Sequence, residues 1–444
     1  MINQLRTFQG GVYKMKRTMK LSVIMVAALT LVITGCSSTA SQPGATPAPK
    51  PDTKVDKVKL TMGSWRTEDK EAYEKIIKEF QSKNPNIEIE FKPTKNTEYN
   101  TLLNTSLQTG SAPDIIHLRP YAPGIALADG GYLEPLDSVK GMDVFSKSAL
   151  SAATGKDGKV YGVPTVFSST QIFYNKKLFK KFNIEEPKTW DELIKAADTL
   201  KQNKVTPFAF GSKEGWILSL THGALGPAIY GGTDYVNKVT TGQTNLKSKE
   251  FTDSVQMMQD LTKYFPENYV GLSMDDMRNL FVTEQAGMMV MGDWEVAVMK
   301  KMNPDLDMDL FAVPNAAAGK ATVTTWVDGS FGVNKESKGK KEAMKFIEFM
   351  TSKEFGTLVA NELKKPSTIP GVQSNDPIVT KISTLANTVS TPYMFVIHFN
   401  GGNPTSKSIF EQLLQGMYLG KETPAKVTEE LQKSVDSWFK PAAK

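Results

Sequence analysis

One cysteine and three histidines in 444 residues leave little room for metal or redox chemistry. Cys36 lies near the amino terminus, so the body behind it holds no thiol, forms no internal disulfide and relies on packing for stability. His117, His222 and His398 are scattered, without zinc-site spacing, and neither a metal nor a cofactor is expected. His117 falls within an apolar strand pattern and reads as core or cleft wall. There is no Gly-x-x-x-x-Gly-Lys-Ser/Thr loop to cradle a nucleotide and no Gly-x-Ser-x-Gly nucleophile turn. A basic excess is missing too. The formal charge is +6, but Arg6, Lys14, Lys16, Arg17 and Lys20 all precede Cys36 with no acid among them, so the remainder is nearly neutral. That removes the electrostatic case for nucleic acid or for an anionic membrane surface.

What is there begins with a leader. Basic residues at 14–20 precede thirteen uncharged residues, 21–33, then Thr34, Gly35 and Cys36. A basic start, an apolar centre and a small-residue end make a secretory signal. The run is short for a membrane span, which needs about 20 residues. The ending Ile33-Thr-Gly-Cys36 resembles the bacterial lipobox, which implies a lipid on the Cys36 thiol. The alternatives are a plain signal peptide or an uncleaved anchor with a bystander cysteine. Residues 1–13 add nothing to this signal, and Met15 and Met19 are alternative translation starts. Residues 37–57 are rich in Ser, Thr, Ala and Pro and read as an extended, disordered tether.

From Lys57 onward, strand and helix patterns alternate. Val58, Leu60 and Met62 alternate as a strand; Tyr73, Ile76, Ile77 and Phe80 recur at helical spacing. Ile87, Ile89 and Phe91 make a second strand, a helix carrying Tyr99, Leu102, Leu103 and Leu107 follows, and 113–118 is a third strand. This order is the signature of an open parallel sheet with helices on its faces, an α/β fold. Further on, Thr189 and Glu192 form a capping box, Ser273 caps another helix, and 287–291 is a buried strand. Helical patterns close the chain at 341–355 and at Val427, Leu431, Val435 and Trp438.

Several segments together resemble one family. They include Leu60-Thr-Met-Gly-Ser-Trp65, Phe80-Gln-Ser-Lys-Asn-Pro-Asn86, Gly110-Ser-Ala-Pro-Asp114, Gly131-Tyr-Leu-Glu-Pro-Leu136, Gly158-Lys-Val-Tyr-Gly-Val-Pro164, Pro187-Lys-Thr-Trp-Asp-Glu-Leu193 and Gly287-Met-Met-Val-Met-Gly-Asp-Trp294. In this order and spacing, behind a lipobox, they resemble the extracellular solute-binding proteins of ABC importers, the family-1 group that includes maltose-binding protein. The resemblance implies a two-lobed α/β fold of the periplasmic-binding-protein kind, with the ligand in a closing cleft. It implies a leader over 1–35, a tether over 36–56, lobe I over 57–165 and 321–370, and lobe II over 166–320 and 371–444. The crossings are expected near 164–169, 314–325 and 367–372.

A sugar needs aromatic platforms for its C–H faces and directional polar groups for its hydroxyls. In open α/β sheets such residues gather at the carboxyl ends of strands. That rule sets Trp190 and Trp438, on apolar helix faces, apart from Trp65, Trp216, Trp294 and Trp326. Polar candidates by proximity are Ser64, Arg66, Glu68, Arg119, Tyr121, Tyr174, Asp293 and Asp328. Each has a plainer reading as a lobe-packing, capping or surface residue, and the 400–404 stretch reads as a turn. The expected protein is a monomeric, lipid-anchored capture subunit on the outer face of a bacterial cell membrane. It would bind a carbohydrate, an oligosaccharide by preference, and deliver it to the permease subunits without chemistry. The alternatives are another solute (polyamine, peptide or iron chelate), or a secreted glycoside hydrolase drawing its acids from Asp293, Glu295 and Asp328.

Overall fold

The computed structural model describes residues 57–315 and 321–441; the leader, Cys36 and the tether lie outside the described residues. Eleven strands form two separate sheets among them. In chain order they are β1 (Val58–Ser64), β2 (Ile87–Pro93), β3 (Ile115–Leu118), β4 (Val163–Pro164), β5 (Phe167–Asn175) and β6 (Thr206–Phe208). Then come β7 (Ala286–Gly292), β8 (Met308–Phe311), β9 (Val323–Val327), β10 (Ser330–Val333) and β11 (Ser390–Pro392). The helices that matter below are α1 (Lys70–Lys83), α2 (Tyr99–Thr109), α3 (Trp190–Gln202), α4 (Gly215–Leu225), α5 (Met274–Val282), α6 (Glu295–Met302), α7 (Lys340–Met350) and α8 (Pro377–Thr388).

The first sheet has the order β2-β1-β3-β10-β4, and the second β11-β9-β5-β7-β6, with β8 also on β5. Neither is purely parallel. β1 is parallel to β2 and β3, as the strand–helix–strand pattern requires, but β10 runs antiparallel to β3 and β4. In the second sheet β5 is antiparallel to β7, β8 and β9. The antiparallel members are the strands that carry the chain between sheets, which must re-enter from the side facing the other lobe. Each sheet has its own core. Leu60, Met62, Tyr73, Ile76, Phe80 and Phe346 pack around the first; Ile172, Phe173, Leu193, Met288, Phe251 and Leu431 pack around the second.

Local signals behave as the sequence suggested. Thr189 and Glu192 exchange side-chain and backbone hydrogen bonds in a true capping box, and Ser273 does the same with Asp276. Such caps stabilise a helix start by about 1 kcal/mol each. Leu102, read as part of an apolar face, is exposed. The helical stretch at 341–355 is broken at 351–352, where Ser352 caps a fresh helix.

Three passages join the lobes side by side. Between β4 and β5 run Thr165 and Val166; Phe167 N donates to Pro366 O at 3.0 Å, and Thr368 N to Thr165 O at 3.3 Å. The second passage is the turn Asp328–Gly329, where Asp328 N donates to Val166 O at 3.2 Å. It lies later than the 314–325 stretch suggested by resemblance: β9 stays in the second sheet as far as Val327. The stretch Val323-Thr-Thr-Trp-Val327 shows no clean alternation, so only the pairing with β5 reveals to which sheet it belongs and where it ends. Gly329 is required there, since a Cβ would come within 2.6 Å of His117 Nε2. The third passage leaves the first core after Val372 and enters the second with α8, whose Ile382 is buried there.

Candidate functional site

The carboxyl ends of β1 and β3 in one lobe and of β6 and β7 in the other face the seam beside these passages. β1 ends in Ser64, which hydrogen-bonds His117 Nδ1 at 2.9 Å and accepts from Arg66 N at 3.0 Å. Trp65, buried, stacks on His117 at 3.7 Å between centroids, and His117 stacks in turn on Phe331 at 4.1 Å. The guanidinium of Arg119 lies 4.2 Å over Trp65. Both faces of that indole are therefore occupied by lobe I itself, and Trp65 packs the lobe rather than offering a platform. Arg119 is further held by Asn96 Oδ1 at 2.6 Å and Asn100 Oδ1 at 3.1 Å. Burial, with Arg66 nearby, pushes its pKa down to about 10. Burial first, and then Arg66, Arg119 and Lys365, push His117 well below its usual range, so the ring is neutral.

Arg66 is the residue that crosses the seam. It follows a strand of the first sheet, yet its guanidinium lies 4.6 Å over the ring of Trp294, which follows β7 of the second. It pairs with Glu68 Oε1 at 3.1 Å and, through Nη2, with Asp328 in the second passage. Burial opposes its charge, but Asp328, Glu68 and Asp69 more than offset this and raise its pKa. Glu68 is lowered, because Arg66 and Lys365 outweigh its burial. Asp328 also accepts from Trp326 Nε1 at 3.1 Å. Trp326 meets Trp294 edge to face at 5.9 Å and Tyr393 at 5.1 Å. Trp294 folds back onto its own strand: a Cβ at Gly292 would lie 2.1 Å from the ring, so only glycine fits. Trp294 and Trp326 are 5% and 6% exposed, so neither presents an open face in this arrangement.

Asp293 is fully buried; Oδ1 accepts from Ser169 N at 2.9 Å while Oδ2 has no partner. Burial raises its pKa to about 7, Asp328 adds to this, and Lys365 and the Ser169 amide work against it. Buried atoms without a partner include Arg66 Nε, His117 Nε2 and Asp293 Oδ2 of these strand ends. Buried polar groups are normally satisfied, so these atoms mark a place built for further hydrogen bonds.

Other candidates lie further out. Tyr121 adopts φ 60°, a conformation costly for a side-chain-bearing residue, and its hydroxyl accepts from Val327 N at 3.4 Å across the seam. Trp216 is half-buried at the start of α4, beyond the carboxyl end of β6, on the same sheet edge as Trp294. Tyr174 is not brought in. It sits seven residues along β5, packed on Phe179 and Phe311 at the far end of lobe II. Proximity to a crossing in sequence misled there, because β5 carries the side chain away from the seam.

Sequence reasoning passed over three charged groups. Lys365 is buried and pairs with Asp69 Oδ1 and Oδ2 at 2.8 and 2.6 Å. Arg278 of α5 grips Glu295 through two hydrogen bonds of 2.7 and 2.8 Å, behind Trp294. Long-range pairs of this kind leave no local signature. Of the three acids a hydrolase could have drawn on, Glu295 is held by Arg278 and Asp328 by Arg66, while Asp293 keeps one oxygen unpartnered. Among the described residues no cluster of ligating side chains could hold a metal ion, and no helix is long and apolar enough to cross a membrane.

Comparison with known proteins agrees with this architecture. The chain is 28% identical over 350 residues to the multiple sugar-binding protein of Streptococcus mutans, covering 76% of this chain and 80% of that protein. It is 27% identical over 313 residues to an uncharacterized ABC transporter extracellular-binding protein of Pyrococcus horikoshii, covering 68% and 70%. A solved structure of the solute-binding protein RafE in complex with raffinose superposes with a TM-score of 0.74 at 20% identity, covering 86% of this chain and 99% of that one. The profile of the bacterial extracellular solute-binding proteins matches residues 63–356, both lobes and two of the passages between them. The chain belongs to that family, whose members bind a solute rather than transform it.

Proposed function

We propose that this protein captures a carbohydrate, an oligosaccharide by preference, between its lobes and delivers it to the permease subunits of an ABC importer. The observation that carries the reading is the seam itself. Two indoles, two carboxylates and a guanidinium from opposite sheets converge there with unpartnered polar atoms beside them. A sugar matches that mixture, since its C–H faces stack on indoles and its hydroxyls both donate and accept. Relatives named for sugar binding and a raffinose complex support the same class. Ligand contacts from both lobes would favour the closed arrangement by their difference in affinity for the two states. A polyamine fits less well, because Asp328, Glu295 and Asp69 are already engaged by Arg66, Arg278 and Lys365, which leaves Asp293 alone without a cationic partner.

The working location is the outer face of a bacterial cell membrane, held by a lipid on Cys36 with residues 37–56 as a tether. The Ile33-Thr-Gly-Cys36 sequence supports this. Metabolic labelling with a fatty acid should mark the wild type and not Cys36→Ala; equal labelling of both ends the anchor assignment. For the ligand, a thermal-shift screen of saccharides against polyamines and peptides is decisive, since binding to the native state alone raises Tm. A saccharide should stabilise the wild type and fail to stabilise Trp294→Ala/Trp326→Ala. Stabilisation only by a polyamine or peptide would replace the carbohydrate reading.

A further inference from the structure

The ring of Trp294 has two faces, and the protein covers both. One lies against Gly292, where a Cβ would come within 2.1 Å of the ring. The other lies under Arg66, which reaches over from the first lobe. A sugar ring cannot stack on Trp294 while the guanidinium remains there.

The way Arg66 is held differs from the way Arg278 is held a short distance behind. Arg278 is fully engaged: Nε and Nη2 bond Glu295 and Nη1 bonds Asp275, all at 2.7–2.8 Å. Arg66 uses Nη1 and Nη2 on Glu68 and Asp328, but its Nε is buried without a partner. An arginine with an unsatisfied buried donor gives up part of what its position offers, as a group that can leave should. A guanidinium is flat, weakly hydrated and suited to stacking on an aromatic face. It thus imitates two features of a pyranose: an electropositive face for the indole, and paired donors for the carboxylates.

We propose that Arg66 is a built-in occupant of the Trp294 subsite, and that the sugar must displace its guanidinium to stack. The displacement half rests on the carbohydrate reading; the covering half does not. Once Arg66 swings away, Glu68 and Asp328 are free to accept hydroxyls. Because Asp328 belongs to the second passage, exchanging one occupant for the other acts directly on a connection between the lobes.

Two measurements test this. In a double-mutant cycle on the purified protein without added saccharide, Arg66→Met, Trp294→Leu and the pair are unfolded in urea. Coupling of roughly two- to thirty-fold in the unfolding equilibrium constant is expected for such a stack. Coupling below twofold overturns the cover. Calorimetry with raffinose and stachyose as probes then compares wild type with Arg66→Met. Removal of the occupant should tighten binding by a similar two- to thirty-fold. Weaker binding in that variant overturns displacement, because it makes Arg66 a direct sugar contact. If Arg66→Met does not fold, Arg66→Lys keeps the charge for Asp328 but loses the flat stack; tighter binding supports displacement, and unchanged or weaker binding overturns it. If neither probe binds any form, the carbohydrate reading is what suffers, and the urea cycle still decides whether the cover exists.

Discussion

Asp293→Asn gives the sharpest test of the seam's electrostatics. The carboxyl is fully buried, one oxygen has no partner, and burial raises its pKa from 3.8 to about 7. The folded state therefore holds this proton more tightly than the unfolded chain does. Below pH 4 both states are protonated and there is no penalty. Between pH 4 and 7 the unfolded chain ionises while the native carboxyl resists, so the residue costs stability progressively; above pH 7 the cost is constant. At about 1.4 kcal/mol per pH unit the full gap amounts to ~4 kcal/mol. Asparagine does not titrate, and its amide N–H₂ faces the same unpartnered space, which sets a fixed offset of about 1–3 kcal/mol. Urea unfolding of both proteins at pH 4.5, 6, 7 and 8 should show the variant gaining on the wild type as pH rises, then levelling. A difference that is flat across this range, or that falls with pH, refutes the reasoning.

Three further outcomes follow from contacts elsewhere in the seam. Lys365→Met strands Asp69 in the protein interior beside Glu68. It should cost about 3–5 kcal/mol in urea unfolding, with Lys365→Met/Asp69→Asn recovering most of that. Gly292→Ala drives Trp294 off its strand. A loss of about 1–3 kcal/mol and a changed tryptophan emission are expected; unaltered emission would mean the ring does not rest there. Lys301 of α6 pairs with Glu71 of α1 at the exposed rim, from opposite lobes. Lys301→Glu should enlarge the radius of gyration in solution scattering at low ionic strength and leave it unchanged in 1 M salt, where the Debye length is about 3 Å.

Much of the fold was legible because it rests on local physics. Alternation at Val58, Leu60 and Met62, helical spacing from Tyr73 to Phe80, and the caps at Thr189 and Ser273 each need only a few neighbouring residues. The strand-end rule named Trp294, and proximity in sequence named Arg66 and Asp328; the structure brings the three together. Position along the chain does not show what covers a side chain or which way a strand carries it. Trp65 stands at a strand end, yet its faces are taken by His117 and Arg119, residues 52 and 54 positions away in sequence. Tyr174 follows a crossing, but the direction of β5 takes it outward.

The sequence by itself determined the alternation of elements, the lack of an internal disulfide in the body behind Cys36, and the residue types available at strand ends. Periodicity and composition settle those, because they depend on spacing along the chain. Only the tertiary structure decided which lobe each passage joins, that β9 stays in the second sheet to Val327, and that Arg66 lies on Trp294. Asp69 with Lys365, and Arg66 with Asp328, are separated by 296 and 262 residues. Such pairs form because two sheets bring distant strand ends to one seam, where low dielectric strengthens the attraction between opposite charges.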